Sequence, residues 1–411
     1  MSKFKSEILI IGGGAAGLAA AISASDKKVL IVDDNPKLGG QIWRAEFGKI
    51  KSPEAKVLIE KIKQKQVSIL NNASVFGWKD EQTLLAETPD GTIELGFEKL
   101  ILATGARERF LPFPHWTLLN VFGAGGLQAL VKNGLSVENK RVILSGTGPL
   151  LLVVAEYLKS KGAKVLLIAE QTSAAKLAKF GFGLITQPSK IAQAISLKTK
   201  LFGVKYLTDC HVVSAEGNGK LEAVNLTRNG KNWRVECDML ACGFHLVPNI
   251  ELANLLRCDI ENGVVKTDEF QRTSVENVFC AGETTGIGGV EKSLIEGRIA
   301  GLAAVENLEK AKQLLAESRK IQRFSDRLNQ TFSLREELKI LSDDETIVCR
   351  CEDVKFGDLK NCGSFREAKL QTRCGMGSCQ GRICGSAAEI LFGWKNESVR
   401  LPIFPVKLEN L

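Results

Sequence analysis

Hydrophobic and polar positions along this chain follow one order twice. An apolar run, Ile8-Leu9-Ile10-Ile11, breaks at three glycines and gives way to a small-residue helical stretch. It resumes as Val29-Leu30-Ile31-Val32 and ends on Asp33 and Asp34. Between Lys140 and Glu170 the order returns: VILS, the turn Gly146-Thr147-Gly148-Pro149, the helix-period stretch LLLVVAEYLKS, and KVLLIA closing on Glu170. Short continuous apolar runs flanking a helix read as strands of a parallel sheet buried on both faces. Two such openings predict an α/β protein with two Rossmann-like, doubly wound dinucleotide-binding domains.

The alternation over 206–242, punctuated by Gly217, Gly219 and Gly230, predicts antiparallel strands attached to the second domain. Beyond residue 296 the pattern turns helical and highly charged, with few glycines, and reads as a solvated linker. A small Cys- and Gly-rich segment closes the chain and is expected to need a metal to fold.

Composition narrows the classes. The 411 residues are 44% hydrophobic and 25% charged, ordinary for a globular protein, and the net charge of +8 is carried by scattered lysines. No basic stripe interleaved with aromatics appears, so nucleic-acid binding is not expected. The charged start, Met1 to Glu7, has no leader pattern, and runs such as Leu150 to Ala155 are too short to span a bilayer. The expectation is a cytoplasmic protein, at most peripheral to the inner face of a membrane. In that compartment the eleven cysteines should be thiols or metal ligands. Five are scattered (Cys210, Cys237, Cys242, Cys258, Cys280), and these are expected to be small buried hydrophobes.

Gly12-Gly13-Gly14-Ala15-Ala16-Gly17 places glycines at all three fingerprint positions directly after a strand. Gly12 permits the tight turn, Gly14 lets the backbone approach a pyrophosphate, and Gly17 lets helix and strand pack closely. The phosphates would rest on the helix N-terminus, with Asp33 placed to accept hydrogen bonds from a ribose. Three further segments follow in order: Gly39-Gly40-Gln41-Ile42-Trp43-Arg44, a strand ending in Ala103-Thr104-Gly105, and a late strand ending in Gly282-Glu283. Together they resemble the disulfide-reductase-like flavoproteins, in which FAD lies across a domain built from both ends of the chain. The resemblance implies that Gly282-Glu283 contacts the flavin's ribityl chain, with Glu where Asp is usual.

The second turn keeps Gly146 and Gly148 but has Leu151 at the third glycine position, and Pro149 offers no N–H to a phosphate. Two readings stand: NAD(P), favouring NAD because Glu170 repels a 2′-phosphate, or a Rossmann-shaped domain kept for packing or partner contact. A scaffold whose nucleotide site holds ATP or ADP structurally, in place of FAD and with the chemistry elsewhere, is a further reading.

Six cysteines lie between 349 and 384: Cys349-Arg-Cys351, Cys362, then Cys374-GMGS-Cys379-QGRI-Cys384. Cys349 and Cys351, two apart in an extended chain, point to one face. Gly375, Gly377 and Gly381 allow main-chain N–H groups to approach sulfur. Five candidates compete for four places, with Cys362 a distant sixth. Structural zinc is an alternative to iron–sulfur; association with a flavin favours iron. The lack of a CxxC beside either flavin motif argues against a thioredoxin-reductase mechanism.

Taken whole, DDNPKLGGQIWR, ATGARERFLPFPHW, FGAGGLQALVKNG, SGTGPLLL and CRCED…TRCGMGSCQGRIC resemble subunits of the heteromeric amino-acid and opine dehydrogenases. That group includes opine oxidases, hydroxyproline and dye-linked proline dehydrogenases, and hydrogen cyanide synthase. The tail resembles the bacterioferritin-associated-ferredoxin type of [2Fe–2S] module. The resemblance implies cluster ligands Cys349, Cys351, Cys379 and Cys384, with Cys374 a spare thiol. It implies a discontinuous FAD domain (1–115 with 245–305), a second dinucleotide domain (116–244), a linker (306–345) and a [2Fe–2S] module (346–411). It further implies a glycine-oxidase-like partner subunit that oxidises the amino-acid or opine substrate, with FMN a candidate at the subunit interface. This chain would then relay electrons to a quinone or dye-type acceptor. The competing functions are a self-sufficient NAD(P)H-dependent flavin oxidoreductase and a subunit that holds a nucleotide structurally. No catalytic base is named, and His115, His211 and His245 are expected to be structural.

Overall fold

Strand β1 (Ser2–Ile11), helix α1 (Ala15–Ser23) and strand β2 (Val29–Val32) form the first βαβ opening in the computed structural model. The structure describes residues 2–46, 49–65, 67–185, 187–395 and 399–411. β1 sits between β2 and the strand Gly91–Leu102, parallel to both, and Val67–Leu70 extends the sheet beyond β2. The late strand Val278–Cys280 pairs parallel with Gly91–Leu102. A hairpin, Ser74–Asp80 and Thr83–Thr88, adds antiparallel strands at the far edge, giving seven strands in all.

Alternate residues of β1 serve opposite faces, as the two-residue period of a strand requires. Ile8 and Ile10 pack with α1 and the late helix Gly289–Ala304, while Leu9 and Ile11 pack with Leu84 and Ala86 of the hairpin and Leu95 of the strand Gly91–Leu102. Each fully buried Leu or Ile contributes about 1.5–3 kcal/mol. The two helices approach closely: a Cβ on Gly297 would run into the Ala16 carbonyl, and one on Gly301 into that of Ala20.

The chain divides into two compact units. The first comprises 1–107, 247–326 and 398–411, and the second 108–246 and 327–397. In the second unit five parallel strands run in the order Lys205–Leu207, Lys164–Glu170, Arg141–Gly146, Met239–Gly243, Val121–Gly123. The predicted antiparallel insert is the meander Cys210–Glu216, Ala223–Arg228, Lys231–Glu236. Leu151, standing in the third glycine position, packs over Gly243, where a Cβ would lie 2.8 Å from its Cδ2, so the bare residue has moved to the facing strand.

Three boundaries differ from expectation. The charged stretch 306–345 is no free linker. Its helix, Leu308–Thr331, lays Ala311, Leu314, Leu315 and Ile321 on Ile295 and Ile299 within the first unit, and from Arg327 onward the chain belongs to the second. The cysteine module shares a core with the second dinucleotide fold: Leu338, Ile383 and Ile390 pack with Ile143, Phe244 and the meander, and Trp116 Nε1 donates to the Ile347 carbonyl at 2.6 Å. The final residues return to the first unit, where Ile403 N–H donates to the Phe76 carbonyl and Asn410 Nδ2 to Glu87. Among the described residues no helix is long and apolar enough to cross a membrane.

Candidate functional site

The first glycine turn is shaped by two contacts that a side chain would destroy. A Cβ on Gly12, whose φ is +108°, would strike the Ala103 carbonyl, and one on Gly17 would strike the Gly12 carbonyl. Gly14 is different, since the nearest atom to its added Cβ is Gly40 Cα at 3.8 Å. Gly39 and Gly40 both take positive φ, and Gly39 N–H donates to the Gly13 carbonyl at 2.8 Å, which lays the Gly40-Gln41 loop beside Gly14. Helix α1 opens on Gly14, Ala15 and Ala16 with no side-chain cap and no acidic residue in its first turn. Its N–H groups and dipole therefore suit an anion.

Asp33 is buried and already engaged: its Oδ2 accepts from Gly13 N–H at 2.5 Å, and its Oδ1 from Asn35 N–H at 2.7 Å and Nδ2 at 2.9 Å. This acid braces the turn, and the exposed acid at the strand end is its neighbour Asp34. The sequence pointed to Asp33 for a ribose, and in the fold both its carboxylate oxygens are engaged by Gly13 and Asn35.

At the end of the Gly91–Leu102 strand, Ala103 N–H donates to the Ile11 carbonyl. Thr104 Oγ1 donates to the Asn249 carbonyl at 2.7 Å, and Asn249 returns bonds to Thr104 and Gly105. A Cβ on Gly105 would meet nothing within 4 Å. Glu283 Oε1 accepts from Gly289 N–H at 2.7 Å and from Gly288 N–H at 3.3 Å. Its Oε2 is buried with no partner among the described residues, and burial raises the carboxyl's pKa. A buried orphan oxygen beside Gly282 fits a site completed by a ligand's hydroxyl groups. The bare Gly14–Gly40 cradle likewise fits the pyrophosphate of a dinucleotide.

Lys292 was not singled out from the sequence. It is buried inside the late helix, with Nζ donating to Glu296 (2.8 Å to Oε1), Thr285 Oγ1 (2.7 Å) and the Gly282 carbonyl (3.1 Å). Glu296 Oε2 accepts in turn from Gly282 N–H at 2.9 Å. The ion pair thus holds both polar groups of the Gly282 backbone. Its signal in the sequence was a Lys–Glu pair four apart in the late helix.

In the second unit Gly146, Gly148 and Glu170 do come together, but on one another. Glu170 accepts from Gly148 N–H at 2.8 Å and from Thr172 N–H at 2.9 Å, and burial raises its pKa against those bonds. His115 and His245 bond within the chain, and His211 is buried. The five scattered cysteines are all buried. Desolvation lifts Cys210 to about 11 and Cys237 to about 12, as expected of inert thiols.

The cysteine module presents the strand Ile347–Cys349, the helix Phe365–Thr372, the glycine loop 373–381 and the helix Cys384–Phe392. The sulfurs of Cys349, Cys374 and Cys384 lie within 4.8 Å of one another, all buried. Hydrogen bonds from Cys374 and Cys384 hold the Cys349 thiol down at about 2. The same hydrogen bonding with Cys349 pushes Cys374 up to about 12 and raises Cys384. Cys351 is exposed, with Sγ 3.8 Å from Ser378 Oγ, and Cys379 is half-buried. The structure therefore gathers Cys349 and Cys384 of the expected ligand set, adds Cys374, and leaves Cys351 and Cys379 on the neighbouring rim. A Cβ on Gly377 would strike Cys351 Cβ, so loop and rim are in contact. Five thiols in one small module suffice for the four thiolates of a [2Fe–2S] centre.

The profile of the pyridine nucleotide-disulphide oxidoreductases matches residues 6–313. The chain is 29% identical to hydrogen cyanide synthase subunit HcnB of Pseudomonas aeruginosa, over 92% of this chain and 90% of that protein. It is 27% identical to an opine oxidase subunit of Rhizobium meliloti, over 98% of this chain and 87% of that protein. The crystal structure of L-proline dehydrogenase from P. horikoshii has the same fold. Its TM-score is 0.69 at 20% identity, covering 100% of this chain and 80% of that one. With its glycine turn, strand-end acid and late Gly-acid pair in one unit, the chain belongs to the pyridine nucleotide-disulphide oxidoreductase family, a family of α/β flavoproteins whose membership implies FAD.

Proposed function

We propose that this chain is the electron-transferring FAD and iron–sulfur subunit of a heteromeric dehydrogenase acting on an amino acid, imino acid or opine. The substrate is oxidised on a glycine-oxidase-like partner subunit, and this chain relays the electrons to a quinone or dye-type acceptor. The observation that carries this reading is the reach of the similarity. It runs through 92% of the chain for a hydrogen cyanide synthase subunit and 98% for an opine oxidase subunit, taking in the cysteine module as well as the dinucleotide domains.

When bound, FAD supplies two-electron redox chemistry and a [2Fe–2S] cluster supplies one-electron transfer. The turn Gly12–Gly17 and the N–H groups opening α1 would hold the pyrophosphate. Asp34 would face the ribose, and the Gly40-Gln41 loop would close over the turn. Glu283 offers its unpartnered oxygen to the ribityl side, while Lys292 and Glu296 fix the Gly282 backbone beside it. Cys349, Cys351, Cys379 and Cys384 would ligate the iron.

Stopped-flow mixing of the isolated, flavin-loaded chain with NADH tests the relay reading against a self-sufficient reductase. No flavin bleaching on the turnover timescale is expected. Rapid bleaching would overturn the relay reading. With the partner present, an imino acid, amino acid or opine should instead reduce an artificial dye.

A further inference from the structure

The two glycine turns of this protein stand at the same place in their βαβ openings, and different neighbours face the second glycine of each. Facing Gly14 is only the side-chain-free backbone of Gly40, its Cα 3.8 Å from an added Cβ. Around Gly148, whose φ is +93°, an added Cβ would meet Phe332 Cγ at 3.8 Å and Phe332 Cβ at 4.0 Å. The second glycine of a dinucleotide fingerprint must be bare so that a pyrophosphate can reach the backbone. Here a phenyl ring stands over the glycine, itself held edge-on by Phe180 with ring centroids 5.6 Å apart.

The polar groups of the turn are also spoken for. Gly148 N–H is taken by Glu170 Oε2, and the next residue, Pro149, has no N–H. Glu170 is 1% exposed and spends its other oxygen on Thr172 N–H, so it offers nothing to a ribose. Thr147 Oγ1 donates to the Phe332 carbonyl at 3.3 Å. Gln171, the residue after the strand-end acid, reads the incoming segment as a strand partner would. Its Nε2 donates to the Ser333 carbonyl at 2.9 Å, and its Oε1 accepts from Arg335 N–H at 3.0 Å. The Arg335 guanidinium closes back on the Gln171 carbonyl at 3.2 Å and on Asp209 at 3.4 Å.

We infer that the second dinucleotide fold is a peptide seat: its glycine turn and Gln171 hold residues 332–335 of the same chain, anchoring the cysteine module and closing the fold to NAD(P) and to ATP. The second fold then serves as a mount for the iron–sulfur module and takes no nucleotide. This holds whether or not the electron-relay reading is correct, because it concerns only the occupant of the second turn.

Two measurements on the full-length, flavin-loaded chain test it. Titration calorimetry with NADH, NADPH and ATP at millimolar ligand should give no saturable binding. Saturation by any of the three, with loss of amide protection at 332–335, would overturn the inference. Hydrogen exchange by mass spectrometry of Gln171→Ala reads the seat itself. Exchange over 332–335 should accelerate about tenfold, the loss of roughly one buried hydrogen bond's worth of protection, while the flavin absorbance is unchanged. Unaltered exchange in that variant would mean the segment is not seated by the fold.

Discussion

Lys292 Nζ lies 2.8 Å from Glu296 Oε1 within the helix Gly289–Ala304, with side-chain exposures of only 2% and 7%. A buried pair of this kind adds little net stability over an apolar pair of the same shape, yet breaking it leaves an uncompensated charge. Lys292→Ala should therefore cost about 3–5 kcal/mol, read by urea denaturation. Lys292→Met combined with Glu296→Gln should recover most of that loss. If it does not, the pair's worth lies elsewhere than in mutual neutralisation.

Gly14→Ala separates folding from nucleotide binding. Gly14 has φ −78° and ψ −166°, which alanine adopts, and its added Cβ meets nothing closer than 3.8 Å. The variant should melt like the parent but retain less than about a tenth of its FAD affinity, a loss of roughly 1.4 kcal/mol or more. Gly12→Ala, which collides with the Ala103 carbonyl at a positive φ, should fail to fold stably. Flavin content after gel filtration and thermal melts distinguish the two.

Glu283 gives a pH dependence with a definite sign. Its carboxyl pKa is raised in the folded protein, first by burial, from the usual 4.5. The native state then binds more protons than the unfolded one, and stability falls as pH rises from the unfolded value through the folded one. In the flavin-free protein Glu283→Gln should flatten that decline just above pH 4.5. A variant whose stability falls with pH as steeply as the parent's would show that Glu283 is not a source of the slope.

The cysteine substitutions discriminate between ligand sets. Cys349→Ser and Cys384→Ser should each abolish the cluster, because both residues belong to the expected set and to the observed sulfur trio. Cys379→Ser should also lose it, whereas Cys374→Ser should retain it, read by iron content and visible absorbance. The reverse pattern for the last two would make Cys374 the ligand and Cys379 the bystander.

What was legible in the sequence was local. The two βαβ openings, their terminal acids and the antiparallel insert are written in hydrophobic period and glycine position, which depend on near neighbours. What escaped depends on distant partners. Nothing near Asp33 says that it braces Gly13 while Asp34 is the exposed acid. The charges of 306–345 concealed the apolar side chains that tie its helix to Ile295 and Ile299. The resemblance to [2Fe–2S] modules makes Cys374 a spare thiol, but the turn after the helix Phe365–Thr372 carries it into the module's core beside Cys349. The turn between the strands Thr83–Thr88 and Gly91–Leu102 carries a local signal, Pro89-Asp90-Gly91.

Electron paramagnetic resonance of the anaerobically purified, dithionite-reduced chain, with iron and zinc quantified on the same sample, tests the redox account most directly. The expected result is a reduced [2Fe–2S] signal accompanying iron in the protein and a flavin chromophore that bleaches. A colourless, silent protein carrying stoichiometric zinc would contradict it.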